Sequence, residues 1–122
     1  MNPQFKKGVL ELCVLATVSS RDCYAYDLVA SISEHIQVTE GTIYPLLRRM
    51  TAEGHFLTHI QESQGGGPPR KYYRLSPKGK KYLAQLVKDW EEFQIGVQAV
   101  IAPVAKNLRS RRGVSKKTAR SR

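Results

Sequence analysis

The chain is poor in the residues that build catalytic and metal centres. Cys13 and Cys23 are its only cysteines, and no Cys-x-x-Cys pair occurs. Together with His35, His55 and His59 they give no zinc-ligand spacing. No carboxylate pair or nucleophile–base set stands out, and Asp27 and Glu53 read as helix-surface residues. Neither an enzyme nor a resident metal or other cofactor is expected. The plain reading of the cysteines is two reduced thiols, one of them a small core residue. The sharper reading is a redox sensor. Long apolar runs are also missing, and none spans a bilayer. The opening FKKGVLELCVLATVSS imitates a signal peptide, with a Lys pair before an apolar stretch. Glu11 interrupts that stretch, and Val9, Leu12, Cys13 and Ala16 lie at i, i+3, i+4 and i+7. This spacing predicts an amphipathic helix and a chain that stays in the cytoplasm.

Acid is absent from the last stretch. Residues 105–122 hold 8 of the 20 Lys and Arg side chains and no Asp or Glu. The first 104 residues therefore carry 12 bases against 10 acids, so most of the net charge of +10 sits on the tail. With few apolar residues, that tail is expected to be disordered. It serves either solubility or non-specific attraction to a polyanion such as DNA.

The remaining chain has no internal repeat. The spacing predicts a first helix from about Pro3 to Val18, with Pro3 in the first turn. A second runs from Tyr24 to His35, with Ala25, Leu28, Val29 and Ile32 on one face. Thr39 or Thr42 caps the third, EGTIYPLLRRM, where Ile43, Leu46, Leu47 and Met50 make an i, i+3, i+4, i+7 stripe. Pro45 fits only near a first turn, so this helix begins around Glu40 to Thr42 and ends at Gly54. FLTHIQES and RKYYRL alternate as strands around QGGGPP, which gives a β-hairpin. Ser76-Pro77 starts a last helix, with Ser76 as its cap. Its seam of Leu83, Leu86/Val87, Trp90, Phe93, Val97, Val100/Ile101 and Val104 spans about six turns. Pro103 is expected to end or kink it. The fold class is thus mainly α with a small β-hairpin: a winged helix-turn-helix over 1–75, a dimerisation helix over 76–104 and a basic tail over 105–122.

In a winged helix-turn-helix the helix after the turn enters the major groove and the hairpin meets the backbone. The third helix suits that task. Opposite its apolar stripe lie Gly41, Pro45, Arg48 and Ala52, flanked by Thr42, Tyr44 and Arg49. Small residues at Gly41 and Pro45 permit close approach. Arg48 and Arg49 can donate bidentately to phosphate or guanine edges, and Thr42 and Tyr44 can reach phosphate oxygens. The bland alternative is a solvated face with two ordinary arginines. Arg70 and Lys71 follow the flexible GGGPP at the place where a wing meets phosphates, although a charged strand edge also discourages aggregation. A basic helix, a basic wing and a basic tail together favour DNA.

GTIYPLLRRM, followed by GGGPPRKYYRLSPKG, resembles the PadR family of bacterial transcriptional regulators. YAYDL, from Tyr24 to Leu28, resembles that family's second-helix motif. The likeness covers residues 2–101, and the tail lies outside it. It implies a winged helix-turn-helix dimer that represses promoters and releases them when an effector binds. It makes Thr42, Tyr44, Pro45, Arg48 and Arg49 recognition-helix residues and Arg70 and Lys71 wing residues. Tyr72 and Tyr73 match the family's paired tyrosines and are placed in wing packing as much as in DNA contact. Ala25 departs from the glycine of many members, a change that a helix accepts well.

The long seam needs a cover. A twofold dimer through the last helix, with the first helix helping from the partner chain, supplies it and suits DNA half-sites one turn apart. Trp90 sits in the seam as an ordinary core or interface tryptophan. In multidrug-binding PadR members a tryptophan at this distance after YYRL lines a pore and stacks on flat aromatic ligands. That resemblance makes Trp90, and Phe93 beside it, candidates for binding a small aromatic effector. Asp89, Glu91 and Glu92 nearby favour a cationic or neutral ligand. Two other readings compete with the effector-released repressor. One is a constitutive or architectural DNA-binding protein without a sensor. The other is a winged-helix module that meets an acidic protein.

Overall fold

The computed structural model describes residues 3–62 and 65–118, with side chains described over 8–62 and 65–110. In chain order the elements are α1 (Pro3–Ser20), β1 (Cys23–Tyr24), α2 (Ala25–Ser33), α3 (Glu40–Ala52), β2 (Phe56–Gln61), β3 (Arg70–Leu75) and α4 (Pro77–Thr118). The strands form one antiparallel sheet in the order β1-β3-β2. This is the expected winged helix-turn-helix, with one addition. Cys23 and Tyr24 pair with Tyr73 and Tyr72, so a short third strand lies on β3. Two residues are too few for an alternation to show in the sequence.

The residues of α3 explain its limits. Thr39 is extended at the N-cap, and its carbonyl accepts the N–H groups of Thr42 and Ile43 at 3.1 Å each. Its hydroxyl makes no capping bond and lies 3.4 Å from the Thr42 hydroxyl instead. At the other end Gly54 takes φ 90°, a left-handed conformation that costs glycine least. Pro45 has no N–H for the Gly41 carbonyl, so the helical bond which that exposed carbonyl would accept is missing. Ile43, Leu46, Leu47 and Met50 are buried, as their spacing predicts.

These four pack with Leu28 and Ile32 of α2, Phe56 of β2, Tyr73 and Leu75 of β3, and α1. The stripe expected on α1 is corrected. Leu10, Val14, Leu15 and Val18 are the buried residues, whereas Val9, Leu12 and Cys13 are half-buried and Ala16 is exposed. VLELCVLATV is apolar almost all round, so two stripes compete and periodicity cannot choose between them. Glu11 lies on the inward side and is buried. Cys23 is a core residue, and burial pushes its thiol, and that of Cys13, above the ordinary range. Both thiols therefore stay protonated, which favours the structural reading over a redox sensor.

Ser76 caps α4 as expected. Its Oγ accepts the Gly79 N–H at 2.9 Å and donates to the Gly54 carbonyl at 2.6 Å. Lys78 Nζ donates to the Glu53 carbonyl at 2.6 Å. The start of α4 is thereby stapled to the end of α3. The first compact unit extends through Val87, because Tyr82, Leu83 and Leu86 pack against the core.

Residues from Lys88 onward form a second unit. Here α4 runs through Pro103 to Thr118, so Pro103 does not end the helix and the disordered tail expected from residue 105 is helical as far as Thr118. Proline removes a single helical bond, the one to the carbonyl of Ala99, and a helix with many bonds on both sides persists. Residues 119–122 lie outside the described residues. No described helix is long and apolar enough to cross a membrane.

Candidate nucleic-acid interface

The exposed face of α3 is built from residues that spare their backbone. Gly41, Thr42, Pro45 and Arg48 are exposed, and Tyr44 is half-buried at the edge of the apolar stripe. A Cβ placed on Gly41 would meet only the Thr39 hydroxyl, at 3.7 Å. The fold therefore leaves room for a side chain that the sequence does not use. Arg48 pairs with no carboxylate among the described residues.

Arg49 is placed differently from its neighbour. Its guanidinium bonds Glu11 of α1 and forks onto Glu53, Nη1 to Oε1 at 3.1 Å and to Oε2 at 3.0 Å. The bond to Glu11, more than the pair with Glu53, raises its pKa above the ordinary arginine value. Arg49, expected beside Arg48 as a DNA contact, joins α3 to α1 through this bond. The arginine pair looked alike in sequence because its partner is 38 positions away.

The wing carries Arg70 and Lys71 at the start of β3, both exposed. As neighbours on a strand they project from opposite faces. The Arg70 guanidinium lies 4.6 Å from the centroid of the Tyr24 ring, a cation–π contact. Tyr24, Tyr72 and His59 are register mates and form one row across the outer face. Tyr72 stands 5.5 Å from Tyr24 and 5.6 Å from His59, between ring centroids. Tyr73 projects the other way into the core, edge-on to Phe56 at 5.8 Å. The paired tyrosines thus divide into one packing residue and one on the outer face. Arg74 forks onto Asp22, with Nη2 at 2.9 Å from Oδ2, and this holds the Asp22 carboxyl below the ordinary range.

In the second unit, Trp90 is half-buried and its ring lies 6.4 Å from that of Phe93, tilted by 43°. Phe93 helps line a shallow apolar depression of about 460 Å³ with Glu92, Gly96, Val97, Val100 and Ile101. Trp90 is not part of that lining. Among the described residues, no group of three or more His, Cys, Asp or Glu side chains is placed to hold a metal ion.

Missed by sequence reasoning were Glu11 and Tyr82. The Tyr82 hydroxyl donates to Glu11 Oε1 at 2.7 Å. In the sequence Glu11 is only a break in an apolar run, and that break was the available signal.

Residues 14–85 match the model of the transcriptional regulator PadR-like family. An uncharacterised protein of Lysinibacillus sphaericus is 32% identical over 90 residues, covering 70% of this chain and 82% of that protein. The solved PadR-like transcriptional regulator of Bacillus cereus superposes with a TM-score of 0.73 at 36% identity, over 80% of this chain and 96% of that one. A PadR-like transcription factor from Bacteroides fragilis gives 0.68 at 37% identity, over 80% and 94%. The family consists of DNA-binding transcription factors rather than enzymes. With its three-helix core, its wing and a family match over more than half its length, this chain belongs to the PadR-like family of transcriptional regulators.

Proposed function

We propose that the chain is a cytoplasmic homodimeric repressor that reads promoter DNA with α3. Thr42, Tyr44, Pro45 and Arg48 contact the major groove, and Arg70 and Lys71 of the wing contact phosphates. The single observation that carries this reading is the exposed face of α3, where Gly41 and Pro45 lack bulk and Arg48 has no acid partner among the described residues. Arg49, held by Glu11 and Glu53, is left out of the contact set. The dimer is supported by two apolar surfaces. One is the half-buried stripe of Val9, Leu12 and Cys13 on α1. The other is the exposed row of Phe93, Val97, Val100, Ile101, Val104 and Leu108 on α4. Monomeric proteins rarely leave such continuous apolar area in water.

Arg48→Ala tests the reading. Measured on a duplex recovered from a random pool by the wild-type protein, it should weaken binding by about 1–3 kcal/mol and relax preference at one base position. Equal loss on every sequence would reduce Arg48 to a phosphate contact.

A small aromatic effector, cationic or neutral, would bind at Trp90 and Phe93 and release the DNA. The open depression beside Phe93 becomes an enclosed site only when a second protomer covers it. Quenching of the single tryptophan by flat aromatic compounds, with loss of bound DNA, is the expected result. No response across a diverse panel would leave a constitutive DNA-binding protein as the reading.

A further inference from the structure

Glu11 is the only carboxylate among the buried residues described, and a buried ionised carboxylate is costly unless both oxygens are bonded. Here both are. Oε1 accepts from the Tyr82 hydroxyl at 2.7 Å, and Oε2 accepts from the Arg49 guanidinium. The chain of contacts then closes on itself. Arg49 holds Glu53, whose Oε1 lies 3.6 Å from His55 Nε2. The His55 ring stacks on Tyr82 with centroids 4.5 Å apart and planes inclined by 16°. One ring of side chains thus joins α1, α3, the turn after α3 and the first turns of α4.

Such a ring is poorly explained by stability. Replacing a buried ion pair with apolar residues of similar volume is often neutral or stabilising. What a bonded ring supplies is geometry, because a guanidinium forked between two carboxylates tolerates little rotation of the helix that bears it. The position of Arg49 on α3 gives that geometry a use. Consecutive helix residues are separated by about 100° around the axis. Fixing Arg49 inward on Glu11 therefore turns Arg48 outward. Arg49, spread over two acids, also presents little net charge to a polyanion.

We propose that Glu11 is a positioning residue for DNA reading: bonded at once to Arg49 of α3 and Tyr82 of α4, it withholds Arg49 from DNA and adds a polar hold to the rotation that the buried stripe of Ile43, Leu46, Leu47 and Met50 gives the recognition helix. The Tyr82 hydroxyl is the member through which a shift in the first turns of α4 reaches α3. Ser76 and Lys78 staple the same two elements through backbone carbonyls. They hold the ends together but do not fix the turn of α3 about its own axis. This inference rests on α3 being the helix that reads DNA.

The test uses the full chain and a duplex that the wild type recovers from a random pool, beside a scrambled duplex of equal length. Affinities are measured over a range of salt for wild type, Glu11→Gln and Tyr82→Phe, with cooperative melting confirmed for each. Glu11→Gln weakens the hold on Arg49, so Arg49 becomes available to phosphate and α3 loses part of the hold on its rotation. Binding to the scrambled duplex should strengthen, with a log–log salt slope steeper by about 0.9, the value for one more neutralised phosphate. The ratio of selected to scrambled affinity should fall about tenfold, the size of one modest base-reading contact. Tyr82→Phe keeps the ring stacked on His55 and leaves Arg49 on Glu11. It should lower the ratio about threefold without changing the slope, well below the loss from a full base contact. A purely structural Glu11 would lower melting temperature and leave both ratio and slope unchanged, and that result overturns the proposal. If Glu11→Gln does not fold, an unchanged ratio in a folded Tyr82→Phe overturns it as well. A wild type that recovers no preferred sequence would instead remove the reading of α3 itself.

Discussion

Gly79 shows how much one missing carbon can matter. A Cβ there would lie 2.1 Å from the His55 carbonyl oxygen, a backbone atom that cannot move aside. Gly79→Ala gains less than about 1 kcal/mol of helix propensity. The overlap costs about 2 kcal/mol or more, so the clash decides the sign. The net loss of about 1 kcal/mol or more should lower the melting temperature by about 5 °C or more, as calorimetry will show. Tyr82 gives a second test at this scale. Burial, followed by its bond to Glu11, pushes its phenol up to about 12 from an ordinary 10.0. A raised folded pKa contributes stability that is complete below pH 10 and is lost as pH rises through about 12. Wild type should therefore lose stability more steeply than Tyr82→Phe across that window. Tyrosinate absorbance should show one fewer late-titrating phenol in the variant.

At the scale of elements, α3 is a helix built against its own propensity. Pro45 removes a helical bond and Gly41 loosens the first turn, yet both sit on the exposed face where neither is needed for packing. Pro45→Ala restores a donor for the Gly41 carbonyl and should raise stability by about 1 kcal/mol or more. Its affinity for the selected duplex should fall, and melting and binding measured on one sample will show the opposed signs. This element was legible in the sequence because its apolar stripe has a single inward solution, and Gly54 and Ser76 are equally local signals of helix ends. The inward face of α1 was not legible, since Leu10, Val14 and Val18 compete with Val9, Leu12 and Cys13 on equal terms. The ion pair of Arg49 was hidden for another reason. Its partner Glu11 is 38 positions away, and only the folded chain brings the two together.

For the whole molecule, charge and apolar surface divide along the chain. The first 104 residues are nearly neutral, and residues 111–122 hold six bases and no acid. Removing residues 111–122 should lower non-specific DNA affinity and reduce the salt slope by about 0.9 for each phosphate that the shortened chain leaves to its counterions. The exposed apolar row from Phe93 to Leu108 stays in place, so sedimentation should still show a dimer. A monomer would mean that the end of the chain helps to hold the subunits together. The two-residue length of β1 has a last consequence for the wing. At its root β3 is flanked on both sides, by Tyr24 and His59, while at Arg70 and Lys71 it has only β2 beside it. A two-stranded ribbon twists and bends more readily than a three-stranded sheet. The hairpin is therefore stiff at its base and more pliant at Arg70 and Lys71. On the proposed reading, these two residues can follow grooves of different width while the base keeps the register set by α3.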